Sequence, residues 1–169
     1  MFDVGVVLDC DIASTLAKID KINLLSEIFK DKRIMIPNAV YVELLEAENM
    51  GFTFPDKIFN SKIEIVVMDE RELNDFKNTA KNQKIHSGEA EGITIASNRK
   101  WVFLTNDWIA VKLCEQMNIA VLDLKDLLKM AARKKIIDEA EMIEIIKDIE
   151  TKDNTVIVEK EEILQEYKI

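Results

Sequence analysis

Two carboxylates one residue apart, Asp9 and Asp11, close the apolar run Val4-Gly5-Val6-Val7-Leu8. A second apolar run, Val102-Phe103-Leu104, leads through Thr105 and Asn106 to Asp107. Between them lie Glu43, in step with Val40, Leu44 and Ala47, and Glu89, in step with Ile93 and Ala96. Residues so spaced share one face of a helix. Each glutamate is therefore set among apolar neighbours, where a charge is costly unless something compensates it. Four carboxylates brought together repel and raise one another's pKa values. Their convergence makes sense around a hard, oxygen-seeking cation, Mg2+ or Mn2+. Such ions bind a phosphodiester, lower the pKa of a bound water and stabilise the leaving oxygen. The chemistry open to these residues together is metal-dependent phosphodiester hydrolysis.

Each position also has a plainer use. Asp9 fits a turn and Asp11 a helix cap. Glu43 fits the edge of an apolar stripe, reaching water. Glu89 and Glu91 fall in a first helical turn, where the helix dipole favours acids, and Asp107 does the same after Thr105 or Asn106 as cap.

Positioning depends on the strands and helices around these residues. An unbroken aliphatic run bounded by polar residues reads as a strand buried on both faces, as at the centre of a parallel sheet. In open α/β sheets, chemistry gathers beyond the carboxyl ends of such strands. Further strands are expected at 33–36, 63–68 and 119–122, and helices over 12–29, 38–48, 69–81 and 108–117. Asp20 divides the first helix by capping its second half, and Ser87 caps the helix that carries Glu89. Residues 51–60, with Gly51 and Pro55, read as a loop. From Leu124 a helix runs to the basic cluster Arg133-Lys134-Lys135. The pattern divides into a catalytic domain over 1–130 and a mostly helical extension over 131–169 that packs on the domain or on a partner.

A chain of 169 residues buries a substantial core as one domain. Its formal net charge of −9 argues against coating nucleic acid by bulk attraction, but not against reaching a phosphodiester through bound cations. Cys10 and Cys114 are the only cysteines, too few for a disulfide framework or a zinc cage, and fit a reducing cytoplasm. No apolar run approaches the ~20 residues of a membrane helix, and the N-terminus has no basic region or cleavage site for secretion. The four glycines form no phosphate-cradling array with Lys-Ser or Lys-Thr.

Four segments in order carry a resemblance: Val6-Val7-Leu8-Asp9-Cys10-Asp11, then Pro37-Asn38-Ala39-Val40-Tyr41-Val42-Glu43-Leu44, then Gly88-Glu89-Ala90-Glu91-Gly92-Ile93-Thr94-Ile95-Ala96, then Phe103-Leu104-Thr105-Asn106-Asp107. Together they resemble the PIN-domain nucleases, which include the toxin ribonucleases of prokaryotic toxin–antitoxin pairs. The resemblance spans residues 2–128. It implies a three-layer α/β/α fold with a mainly parallel central sheet. It places acidic metal ligands at Asp9, Glu43, Glu89 and Asp107, holding one or two Mg2+ or Mn2+ ions. Asp11 adds to the metal environment, and Thr105, Asn106 and Glu91 support it. The activity implied is endoribonucleolytic hydrolysis of single-stranded or structured RNA. A cytoplasmic homodimer and an antitoxin-like protein partner that covers the site are implied with it. The Gly-Glu-Ala-Glu form and the helical tail resemble a longer prokaryotic branch, and no role is carried beyond residue 128.

Two other readings use the same residues. In a haloacid-dehalogenase-like phosphatase, Asp9 attacks phosphorus and Asp11 serves as acid or base. The Gly-Thr that follows in that family, its downstream Lys and its paired aspartates have no counterpart here. In a non-catalytic RNA-binding or protein-interaction module, the acidic residues are caps alone. Of the remaining side chains, His86 reads as a cap or surface residue. Trp101 and Trp108 read as packing, with Trp108 kept as an RNA-contact candidate. Arg99-Lys100 and Arg133-Lys134-Lys135 read as solvated faces. Gly88 and Gly92 read as sites of close helix packing.

Overall fold

In the computed structural model, which describes residues 4–81 and 84–168, five short strands form one all-parallel sheet. These are β1 (Gly5–Leu8), β2 (Arg33–Pro37), β3 (Glu64–Val66), β4 (Val102–Leu104) and β5 (Val121–Leu122), in the spatial order β3-β2-β1-β4-β5. β1 is central, pairing Val6 with Ile34 of β2 and Val7 with Phe103 of β4. Its four residues are all buried. Because successive strand residues face opposite sides, Val6 and Leu8 enter one core cluster and Val7 enters another. The result is a three-layer α/β/α architecture.

The helices are α1 (Cys10–Lys18), α2 (Leu24–Ile28), α3 (Asn38–Asn49), α4 (Phe54–Phe59), α5 (Glu70–Thr79), α6 (Ser87–Arg99), α7 (Trp108–Gln116), α8 (Leu124–Arg133), α9 (Glu139–Asp148) and α10 (Glu161–Gln165). α6 and α7 cover the Val7 side, where Ile93, Ala110 and Cys114 join Phe103 of β4 in the same cluster. The other side takes Ile12 and Leu16 of α1, Val40 and Leu44 of α3, and Leu127 and Leu128 of α8. No described helix is long and apolar enough to cross a membrane.

Three local expectations are corrected. Residues 51–60 are not all loop, because α4 starts with Pro55 in its first turn, where a missing N–H costs nothing. Asp20 does not cap the second helix. It adopts a left-handed backbone (φ 59°) just past α1, and Asn23 precedes α2. His86, not Ser87, stands at the N-cap of α6.

The chain beyond α8 belongs to the same apolar cluster as α1. Met142, Ile145, Ile149, Ile157 and Ile163 are buried there. A π-helical turn (Ile149–Asp153) brings Asp153 to α1, where its carboxylate accepts from Thr15 Oγ1 and Lys18 Nζ, both at 2.6 Å.

Candidate active site

The order β3-β2-β1-β4-β5 means that the chain works outward from β1 on one side, then crosses to the other. The reversal lies between β1 and β4, and the crevice beyond those two strand ends is the natural binding place of an open α/β sheet. Asp9 ends β1 and Thr105 to Asp107 follow β4, so the strand order itself sets these residues side by side. The N–H of Asp9 continues the ladder to the Leu104 carbonyl at 3.0 Å.

Asp9 is only 3% exposed. Its Oδ1 accepts the Ile12 N–H at 2.9 Å as the cap of α1, and the Thr105 side chain also hydrogen-bonds its carboxyl. Burial nonetheless lifts its pKa to about 7, with help from the charges of Asp11 and Glu89. Asp11 is exposed in the first turn of α1.

Glu43 reaches the crevice from α3 and is half-buried. Partial burial raises its pKa, and Asp11 adds to this, while the Cys10 thiol donates to it and pulls the other way. Burial pushes that thiol itself up to about 12. Glu89, on the first turn of α6, is buried beside Ile93 and Ala96, as its spacing requires. Its Oε2 accepts the His86 N–H at 3.0 Å. Partial burial raises its pKa too, and Asp107 and Asp11 repel it further. Asp107 caps α7, its Oδ1 accepting from Ile109 and Ala110 at 2.8 Å.

These contacts link five carboxylates into one electrostatic group: Asp11 acts on Asp9, Glu43 and Glu89, and Glu89 acts on Asp9 and is acted on by Asp107. Four of them, Asp9, Asp11, Glu43 and Glu89, line an open cavity of about 450 Å3 with His86. Asp107 does not line it but lies close enough for its charge to act on Glu89. Among the described residues, none of the five is ion-paired to Lys or Arg. The donor set thus suits a hard divalent cation, being all oxygen, acidic and otherwise unbalanced. The donors form a loose ring, however. Among the described residues, no three His, Cys, Asp or Glu side chains stand close enough to enclose an ion together.

The supporting residues divide. Thr105 is fully buried between the two aspartates, with its hydroxyl also accepting the Asp107 N–H at 3.1 Å. Glu91 sits one helical face away from Glu89, and its Oε2 accepts the Ala39 N–H at 2.9 Å. That bond closes the first turn of α3, whose N-cap is Pro37 and supplies no side-chain acceptor. Glu91 therefore anchors the helix that carries Glu43. Asn106 turns away, and its Oδ1 accepts the Leu124 N–H at 2.9 Å at the start of α8.

Gly88 has a larger role than general packing. A Cβ there would come 2.8 Å from Val40 Cγ2 and 3.1 Å from Glu43 Oε1, so its bareness lets α6 approach α3 at the Glu43 carboxylate. Its place in the Gly-Glu-Ala-Glu motif was the available signal. The basic clusters lie in other contacts. Arg99 pairs with buried Glu72, Arg133 with Glu166, and Lys134 donates to the Ile28 carbonyl.

A family model for the PIN domain matches residues 5–166. The chain belongs to the PIN-domain family. Members of this family are generally nucleases, and the haloacid-dehalogenase alternative loses its footing. Among solved structures, the PIN-domain chain is similar to PAE2754 from Pyrobaculum aerophilum, at 16% identity and a TM-score of 0.52. The likeness covers 76% of this chain and 98% of that one, and concerns the fold alone. No curated protein matches the sequence.

Proposed function

We propose that this PIN-domain protein is a Mg2+- or Mn2+-dependent endoribonuclease acting at the cavity beyond the end of β1, between α1, α3 and α6. One observation carries the reading: acids from four separate elements gather at the sheet's switch point, and among the described residues no Lys or Arg is ion-paired to them. Asp9, Glu43, Glu89 and Asp107 would hold the cation, with Asp11 at the mouth adding negative potential. A bound ion supplies charge neutralisation for the phosphodiester and an activated water. The chain's own part is positioning. Thr105 and the α1 N-terminus orient Asp9, the His86 N–H orients Glu89, and Glu91 fixes the helix bearing Glu43. The reading extends to RNA as substrate, to a cytoplasmic homodimer, and to a toxin role with an antitoxin-like protein covering the cavity.

A non-catalytic interaction module is favoured by one observation, the loose ring of donors. Calorimetry with Mn2+ and Mg2+, parent against Asp9→Asn, separates the two. The nuclease reading expects binding that the variant loses, with RNA cleavage abolished by Asp9→Asn and by Glu43→Gln. A folded parent that neither binds an ion nor cuts RNA or small phosphoesters overturns it.

A further inference from the structure

The two tryptophans part company in the structure. Trp101 is buried at 5% exposure, stacked against Arg99, whereas Trp108 is 64% exposed. Trp108 opens α7 directly after Asp107, so it stands on the sheet edge where the acids gather. Lys112, one helical turn on, holds its Nζ 4.6 Å from the Trp108 ring centroid. Among the described residues Lys112 is in no ion pair, unlike Arg99 and Arg133, which are held in internal pairs. An exposed indole with a lysine beside it supplies two things an acidic cavity lacks: a flat surface for a nucleobase and a positive charge for a phosphate.

We propose that Trp108 and Lys112 form a base-stacking subsite that selects unpaired RNA next to the acidic cavity. Resting on the ribonuclease reading, this deepens it by naming the substrate's form. A duplex keeps its bases stacked on one another, so an isolated indole gains little from it. A single strand can lay one base on the ring whatever its identity, because every base offers a π-face. The strand's phosphate then lies within reach of Lys112.

Intrinsic fluorescence reads this contact in the intact protein, since Trp101 is buried and Trp108 is the other of the two tryptophans. A single-stranded oligouridylate in Mg2+ is expected to quench the parent, and an RNA duplex of equal length is not. By anisotropy of the labelled oligouridylate, Trp108→Ala is expected to weaken binding roughly five- to a hundredfold. Trp108→Phe keeps most of the affinity and Lys112→Ala lowers it with a shallower salt dependence. Melting temperature confirms that these exposed substitutions leave the fold intact. Unchanged affinity in a folded Trp108→Ala overturns the subsite. If that variant still cuts RNA like the parent, the subsite alone has failed and the nuclease reading stands. Tryptophan-dependent binding without any cutting supports the subsite while the nuclease reading fails.

Discussion

The side chain of fully buried Thr105 is hydrogen-bonded to the carboxyl of Asp9, joining the end of β4 to the end of β1. Because the same hydroxyl accepts the Asp107 N–H, one side chain orders two acids. Thr105→Val keeps the shape but leaves the Asp107 N–H unpaired and removes the one side-chain bond that lowers the Asp9 pKa. We expect a stability loss of about 1–2 kcal/mol by denaturant melts, and weaker Mn2+ binding by calorimetry. Unaltered metal affinity would remove Thr105 from the supporting set.

Asp9 gives the protein a pH signature. Its folded pKa, about 7, is above the unfolded value near 3.8. Between these pH values the native state therefore binds more protons than the unfolded one, so this group's contribution to stability falls as pH rises across the window and levels off above it. Without added metal, the parent should lose stability from pH 4 to 7 relative to Asp9→Asn, by up to about 1.4 kcal/mol per unit. Parallel stability curves for the two proteins would show that Asp9 ionises normally.

Glu91 supplies an acceptor that Pro37 cannot. Glu91→Ala should cost about 1 kcal/mol, as a lost helix cap does, and should weaken metal binding through displacement of Glu43. Glu91→Gln retains an acceptor oxygen and should restore both. A purely local cap would show the stability loss with metal affinity untouched.

Much of this arrangement was legible in the chain itself. Unbroken apolar runs mark buried parallel strands, so β1 and β4 and the acids that end them stood out. Helical spacing likewise placed Glu89 among the buried residues of α6. What was hidden depends on contacts across space. Nothing local to Glu91 points to Ala39, fifty-two residues away, and Asn106 beside the site looks no different from Asn106 capping α8. The helix α4 was lost for a different reason. Pro55 beside Gly51 reads as part of a loop, although proline in a first turn is a start signal.

Gly92 packs α6 onto the sheet. A Cβ there would fall 2.3 Å from Cε2 of the fully buried Phe103 ring, so the ring or the helix must shift. Gly92→Ala should destabilise by about 1–3 kcal/mol, read as a lowered denaturation midpoint. A neutral result would mean that α6 can slide on β4.

Asp153 fastens the C-terminal segment to α1, accepting from Thr15, Lys18 and Thr155 at 2.6 Å each. Removing the carboxylate leaves these donors partly buried without it, so Asp153→Ala should destabilise by about 1.5–3 kcal/mol. Proteolysis should then cut first between residues 150 and 160. Protection equal to the parent's would show that apolar packing alone holds the segment.

The central place of β1 also sets a timetable for biosynthesis. Leu8 is made first, and its neighbour Leu104 on β4 follows roughly five to twenty seconds later at ordinary elongation rates. Until then β1 has an unpaired edge, and Asp9 lacks both Thr105 and Asp107. A nascent chain released before that point carries Asp9, Asp11, Glu43 and Glu89 but lacks the Thr105 hydroxyl that holds Asp9 and the charge of Asp107 beside Glu89. An exposed apolar edge during the same interval is the part of the half-made chain most open to aggregation.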